Sequence, residues 1–450
     1  MGIVLMLSQL TAILGENLRR SPQQISPEPA TGVSTDTRDL QPGNVFVALV
    51  GEKFDGHDYV DQAHQAGAIA LITSRPLETD LPQWIVNDTL RAYQDLGAWW
   101  RQQVNIPVIG ITGSVGKTST KELIAGILGT QGKVLKTEAN FNNEIGVPKT
   151  LLNLTPDHDF AVIEMAMRGP GEIARLAEIA QPTIGIITNV GTAHIGRLGS
   201  REAIAKAKCE LLEFMPKDSV AMLNADNELL MATAATVWSG ETLSYGFSQG
   251  DLTGEYIAPD QVKVADQVFP VPLAGQHNAL NYLAALGVMQ VLGFGWQGLT
   301  TEISLAMPKG RSQRIVLPND IVLLDETYNA GLESMLAALD LLKQTPGDRH
   351  IAVLGTMKEL GEFSEALHTQ VGEKAQTLGL DQLYVLVDDP EAQAIADGAL
   401  GVPSLCFPDH RSLIEHLRAN MQPGDRLLFK ASNSVGLSRV VEALQQTYSA

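Results

Sequence analysis

Val108-Ile109-Gly110-Ile111-Thr112-Gly113-Ser114-Val115-Gly116-Lys117-Thr118-Ser119-Thr120 is the stretch whose reading decides the fold. A β-branched run enters a turn marked by Gly113 and Gly116. Lys117-Thr118 then opens a helix whose apolar stripe is Leu123, Ile124, Ile127 and Leu128. Glycines let backbone N–H groups close around phosphate oxygens, and the helix N-terminus adds partial positive charge. A lysine here reaches terminal phosphates, and the following hydroxyl suits Mg²⁺. The strict spacing G-x-x-x-x-G-K-[ST] asks for glycine at 111, where Ile111 stands; the nearest glycine is Gly110, so the loop is a variant. The stretch predicts a nucleoside triphosphate site built on Gly113, Ser114, Val115, Gly116, Lys117, Thr118 and Ser119.

Outward from this loop, strands and helices alternate: 160–163, 172–179, 183–188, 200–214 and 219–223. That alternation predicts a parallel sheet with right-handed crossovers. Residues 247–272 are polar and strand-like, and read as an antiparallel insertion. A last α/β block begins near Arg311, with strands at 321–324, 351–354, 382–387 and 426–429. Upstream, a helix at 89–101 leads through Pro107 into the phosphate-loop strand, and residues before 87 mix short strands and helices. The expected fold class is α/β with three domains. A small N-terminal α/β domain spans 1–87, a central P-loop parallel-sheet ATPase domain 88–310, and a C-terminal Rossmann-like α/β domain 311–450.

Composition agrees with a large soluble enzyme. A chain of 450 residues is too long for one core, and 44% apolar with 18% charged residues excludes a largely disordered chain. The net charge of −19 argues against a nucleic-acid partner, since phosphate backbones need a basic surface. Any anionic ligand must therefore be held by local loops and dipoles. Cys209 and Cys406 cannot make a disulfide framework, which suits a reducing cytoplasm. The apolar start, residues 1–14, lacks a basic flank and a cleavage site and reads as a helix. No run approaches membrane-spanning length, so no membrane insertion is expected.

Three further residues carry chemistry. Glu164 ends the strand at 160–163, at the carboxyl edge where ligands of such sheets bind, and is a natural Mg²⁺ ligand. His194 follows a second core strand and reaches the same edge, against the plainer reading of a histidine in a polar loop. In the helix at 201–214, Lys208 falls on the apolar stripe with Ile204 and Leu212, while Lys206 points elsewhere. Burial favours a neutral amine, which can add carbon dioxide to become an anionic carbamate. Taken alone, the residue is read as snorkelling to solvent along its methylenes.

Several motifs in order resemble the Mur ligases. They are 110–120; Thr137, Asn140, Asn142, Asn143, Gly146 and Pro148; Glu164-Met165; Gly171-Glu172-Ile173; and 189–208. The likeness continues in Ser34-Thr35-Asp36-Thr37-Arg38, Asp55-Gly56-His57, Gly275-Gln276-His277-Asn278-Ala279-Leu280-Asn281, Lys309-Gly310-Arg311 and Asp325-Glu326-Thr327-Tyr328-Asn329-Ala330. It covers nearly the whole chain. The resemblance implies an ATP-dependent amide-forming ligase of peptidoglycan precursor synthesis; a cytoplasmic setting and a monomer are expected. Its implied small-molecule substrates are UDP-N-acetylmuramoyl-tripeptide and D-alanyl-D-alanine.

The resemblance also implies roles. Lys117 would bind ATP phosphates, with Thr118 and Glu164 on one Mg²⁺. His194 and a carbamylated Lys208 would hold a second Mg²⁺, which reverses the snorkelling reading. His277, Asn278 and Asn281 would contact adenine, Asp325 the ribose, Arg311 the terminal phosphate, and Asn143 would orient the acyl group. Thr35, Asp36, Thr37 and Arg38 lie where the family holds the uridine nucleotide. ATP contacts thus fall on both sides of Gly310, so domain closure on binding is expected. Departures gather late in the chain: Thr356 where the family has an acid, Gly331-Leu332 for Asn-Pro, and Lys430-Ala431-Ser432-Asn433 for Lys-Gly-Ser-Arg. The alternatives are another ligase of the superfamily, of folylpolyglutamate or cyanophycin synthetase type, and a nucleotide-dependent switch. A switch needs no convergence of Glu164, His194 and Lys208.

Overall fold

The computed structural model describes residues 4–299, 303, 305 and 307–449. Its architecture is α/β, set by three sheets that follow one another along the chain. The central sheet has seven strands, in the order Leu252–Thr253, Thr242–Gly246, Val220–Asn224, Ile184–Ile187, Val108–Thr112, Phe160–Glu164 and Val134–Lys136. Every neighbouring pair in it is parallel. The phosphate-loop strand Val108–Thr112 is buried along its whole length, which explains its unbroken β-branched character. Ile187 pairs with Thr112 and Glu164 with Ile111, so three consecutive carboxyl ends finish level with one another. That register brings Gly113, Glu164 and Thr188 to one edge.

The helix Lys117–Leu128 buries Leu123, Ile124, Ile127 and Leu128 against Ile109, Ile111 and the long helix Gln276–Val291. That long helix is apolar on nearly every side and runs through the core, the pattern expected of a fully buried helix. The antiparallel insertion is present as Glu255–Ile257, Gln261–Val264 and Gln267–Pro270. Leu252–Thr253, inside the same expected segment, instead extends the central sheet in parallel.

The last sheet has six strands, ordered Gln313–Leu317, Ile321–Asp325, Asp425–Lys430, Arg349–Gly355, Gln382–Leu386 and Ser404–Phe407. All its pairs are parallel save the first. The strand Gln313–Leu317, absent from the sequence reading, forms a hairpin with Ile321–Asp325 through Asn319 and Asp320, both in left-handed conformation. Consecutive Asn-Asp after a strand was the signal for it. The N-terminal sheet has five strands, of which Leu18–Arg20 alone is antiparallel to its neighbour.

The expected helix over residues 1–14 is corrected. Leu5–Met6 is a short strand paired with Pro29–Ala30, Leu7–Gln9 is a 3₁₀ turn, and only Leu10–Leu14 is α-helical; residues 1–3 lie outside the described residues. Leu5, Leu7, Leu10 and Leu14 are all buried, so the spacing changes from that of a strand to that of a helix within ten residues. Among the described residues no helix is long and apolar enough to cross a membrane.

Candidate active site

Backbone sterics dictate the glycines of the phosphate loop. A Cβ on Gly113 would stand 1.9 Å from Thr188 Oγ1, and one on Gly116 would stand 2.8 Å from Asn281 Oδ1. Gly116 also adopts a φ of 83° just before the helix begins. Asn189 ties the loop down: its Oδ1 accepts from the Val115 N–H at 3.0 Å, and its amide donates to the Val115 carbonyl. The Lys117 ammonium folds back over the loop, donating to the Gly113 carbonyl at 2.7 Å and to Ser114 at 3.3 Å.

This loop floors a cavity of about 280 Å³ whose other wall belongs to the C-terminal sheet. From the central part come Ser114, Val115, Gly116, Lys117, Thr118, Ser119, His277 and Asn281; from beyond Gly310 come Arg311, Tyr328 and Lys430, among others. His277 and Asn281 sit one turn apart on the helix Gln276–Val291, so they share a face. Burial, with Lys430 nearby, pushes the His277 pKa down to about 4, which keeps the ring neutral. The Arg311 guanidinium lies 3.8 Å over the Tyr328 ring, and its Nε is buried without a hydrogen-bond partner. Burial lowers the pKa of Lys117 and of Lys430, and Arg311 lowers both further. Three cations from two parts of the chain therefore repel one another across a single cavity. In a protein of charge −19, such a local excess of positive charge suits a polyanionic occupant.

Glu164 is 2% exposed at the carboxyl end of its strand. Its Oε2 accepts from the Thr118 hydroxyl at 2.9 Å, its Oε1 from Asn142 Nδ2 at 2.8 Å, and its N–H donates to Thr137 Oγ1. Lys121, itself buried, stands 3.8 Å from Oε2 and pairs with Glu122, which in turn meets Lys136. Asn142 and this charge chain were not assigned roles from sequence. The inward polar positions Lys121 and Glu122, on a helix otherwise apolar toward the sheet, were the signal for them.

Lys208 lies on the buried face of Arg201–Phe214 with Ile204 and Leu212, 2% exposed, whereas Lys206 faces solvent. Among the described residues its ammonium has neither a hydrogen bond nor an ion pair. Burial first, and Lys117 second, depress its pKa well below that of a free lysine. Snorkelling is excluded by this burial. His194 has a φ of 66°; its Nδ1 donates to Glu359 Oε2 at 2.6 Å, across to the C-terminal sheet. Burial and the charge of Lys117 lower its pKa, while Glu359 pulls the other way.

The remaining sequence candidates lie outside the cavity. Asn278 donates to the Ala274 carbonyl, and Asp325 accepts from the Thr327 hydroxyl at 2.6 Å. Asn143 is exposed and caps the helix Gly146–Leu151, accepting from the Gly146 N–H at 2.9 Å. Thr35, Asp36, Thr37 and Arg38 follow the strand Gly32–Ser34 in the N-terminal sheet. There the Arg38 fork holds the Asp36 carboxyl down at a pKa of about 2. His57 is buried and commits both ring nitrogens to the fold, Nδ1 to Asp55 and Nε2 to Ser74. Thr356, which replaces the family's acid, donates to Asp388 at 2.7 Å, so a carboxylate from the loop after the strand Gln382–Leu386 stands beside it.

Comparison with known proteins decides the family. Residues 29–104 match the description "Mur ligase family, catalytic domain", 111–289 "Mur ligase middle domain", and 310–433 "Mur ligase, glutamate ligase domain". The chain belongs to the Mur ligase family. A UDP-N-acetylmuramoyl-tripeptide–D-alanyl-D-alanine ligase of Synechocystis is 58% identical over 92% of this chain and 91% of its own. Among solved structures, a MurF from Acinetobacter baumannii superposes with a TM-score of 0.89 at 30% identity, covering 99% of both chains. A MurF ligase from Thermotoga maritima in complex with ADP gives 0.83 at 31% identity, over 93% of this chain and 98% of that one.

As a Mur ligase, the chain has its phosphate loop and its cation cluster on the two faces of one cleft. The donor set fits a P-loop magnesium: oxygen ligands from Thr118 and Glu164 at the foot of the cavity. Among the described residues no group of three or more His, Cys, Asp or Glu side chains is gathered as a metal cage. Mg²⁺ in such sites takes most of its ligands from phosphate and water, so one or two protein oxygens suffice.

Proposed function

We infer that this chain is the ATP-dependent ligase that joins D-alanyl-D-alanine to UDP-N-acetylmuramoyl-tripeptide during peptidoglycan precursor synthesis. The observation that carries the reading is the convergence of Lys117, Arg311 and Lys430 on a phosphate-loop cavity, in a chain 58% identical to a ligase of that name. The work is divided among three units: 1–87 for the uridine nucleotide through Thr35, Asp36, Thr37 and Arg38, 88–310 for ATP, and 311–450 for the dipeptide. Action as a monomer is part of this reading. Nucleotide-linked substrates and two unpaired cysteines support a cytoplasmic setting.

The reaction follows from charge. A carboxylate oxygen of the nucleotide-linked tripeptide attacks the γ-phosphorus of ATP, and ADP leaves with the bridging oxygen's electron pair. The dipeptide's amine then attacks the acyl phosphate carbon, phosphate departs, and the amine's proton is released. Lys117 and Arg311 screen the phosphates during the first step, and the phosphate loop fixes the line of attack. His277 and Asn281 hold the base end, beside Asn278, with Asp325 toward the ribose. Asn143 serves the acyl group. Thr118 with Glu164, and His194 with Lys208, would hold two Mg²⁺ ions, which supply further neutralisation of phosphate charge.

Lys208 fits a carbamate. Its neutral amine nitrogen would bond to the carbon of carbon dioxide, one proton would leave, and two oxygens sharing one negative charge would take the amine's place. The unpartnered amine of a side chain only 2% exposed supports this reading.

Incubating the protein with ATP, Mg²⁺, UDP-N-acetylmuramoyl-tripeptide and D-alanyl-D-alanine is expected to release phosphate only when both co-substrates are present. Mass spectrometry is expected to find the nucleotide-pentapeptide. Steady phosphate release with ATP alone, and no coupled product, would return the chain to the class of nucleotide switches. Coupling of glutamate to a folate instead would move it to a sister ligase.

A further inference from the structure

The loop 190–199, which carries His194, is gripped by the C-terminal unit at several points. Glu333 accepts from the Thr192 N–H at 2.7 Å and from the Thr192 hydroxyl at 3.1 Å. Glu359 accepts from His194 Nδ1 at 2.6 Å and from Arg197 Nη2 at 2.9 Å, and its backbone carbonyl accepts from the Gly196 N–H at 3.1 Å. Two glycines make this approach possible. A Cβ on Gly196 would stand 2.5 Å from the Gly361 nitrogen, and one on Gly361 would stand 2.9 Å from the Gly196 Cα. Glu359 itself has a φ of 65° and His194 one of 66°, a left-handed region uncommon for residues other than glycine and more so for glutamate than for histidine. Strain at both ends of one hydrogen bond is held only where surrounding contacts over-determine it.

We propose that Glu359 is a positioning residue that reaches from the C-terminal unit to fix the tautomer of His194, so that closure of the two units completes the metal-binding histidine. The proposal rests on the reading of His194 as a Mg²⁺ ligand. A neutral imidazole that donates through Nδ1 must keep its lone pair on Nε2, the nitrogen left for a metal. Carboxylates that accept the second ring N–H of a ligating histidine orient the ring and raise its basicity. Here that partner belongs to the opposite wall of the cleft. In the open enzyme His194 loses the acceptor, its tautomers mix, and the ligand set is incomplete. Closure therefore both traps ATP and prepares the ion that screens it, which restrains phosphate loss before all substrates are seated.

Full-length protein labelled with ¹⁵N-histidine, with Mg²⁺ and a non-hydrolysable ATP analogue, reports the tautomer directly, and His194→Gln assigns its signal. Binding of Mn²⁺ in place of Mg²⁺, followed by electron paramagnetic resonance, reports the metal. The wild-type signal is expected to be that of an Nδ1-protonated ring. Glu359→Ala should shift it toward the Nε2-protonated form and weaken Mn²⁺ binding about tenfold or more. Glu359→Gln, whose amide oxygen still accepts the Nδ1 proton, should stay near wild type. Gly196→Ala leaves both partners in place but blocks the approach; it should reproduce the tautomer shift and enlarge the radius of gyration in solution scattering. An unchanged tautomer and Mn²⁺ affinity in Glu359→Ala overturns the proposal. So does a Gly196→Ala protein that scatters as open yet keeps the Nδ1-protonated ring. If His194→Gln itself leaves Mn²⁺ binding intact, the underlying metal assignment fails, a result separate from the other two.

Discussion

Lys117→Ala is expected to abolish ligation, lowering kcat/KM by about a thousandfold or more, while thermal unfolding stays close to that of the parent. The ammonium has no packing role: its contacts are the Gly113 and Ser114 carbonyls of its own loop. With phosphate present it would turn from those carbonyls to the ligand as a point charge. Its removal also relieves the repulsion that now lowers Lys208 and His194, so folding should not suffer. A nucleotide-binding assay separates the two outcomes. Near-normal turnover in a well-folded Lys117→Ala protein would remove the phosphate loop from the reaction.

Lys208→Ala should lose most activity, about a hundredfold or more, together with one divalent-ion site, whereas Lys206→Ala should be mild. The two lysines share a helix and differ in which side of it they occupy. Lys206 is solvated, while Lys208 is walled in by Ile204, Leu212 and the core around them. A small carboxylic acid such as acetate is expected to restore part of the Lys208→Ala activity, because it returns anionic oxygens to the space the carbamate would fill. Removal of dissolved carbon dioxide should slow the parent enzyme and leave the acetate-rescued variant untouched. A neutral-pH crystal structure with a bare ammonium at Lys208, or an Ala variant as active as the parent, would refute the carbamate.

Both residues were visible in the sequence for the same reason: each breaks a pattern that is otherwise regular. Lys117 follows the glycines that only a phosphate cradle requires, and Lys208 interrupts an apolar stripe. The chain's central alternation of strands and helices was equally legible, because parallel strands buried on both faces leave unbroken β-branched runs such as Val108–Thr112. The apolar first turn misled, since Leu5 and Leu7 follow strand spacing and pair with Pro29–Ala30, a partner distant in sequence. The edge strand Gln313–Leu317 was missed because its alternation is weak and half exposed.

By itself the sequence determined what is local: the phosphate loop, the order of α/β units, the inward lysine and the acidic balance that leaves anion binding to local geometry. Tertiary structure decided what depends on distance across the cleft. It set Arg311 and Lys430 opposite Lys117, chose Asn142 rather than its neighbour to hold Glu164, and joined Glu359 to His194. The last of these pairings alone joins residues 165 positions apart. Periodicity reports only which face of an element is buried; which face meets which is fixed by sheet order and packing, where side chains from separate elements first share one desolvated space.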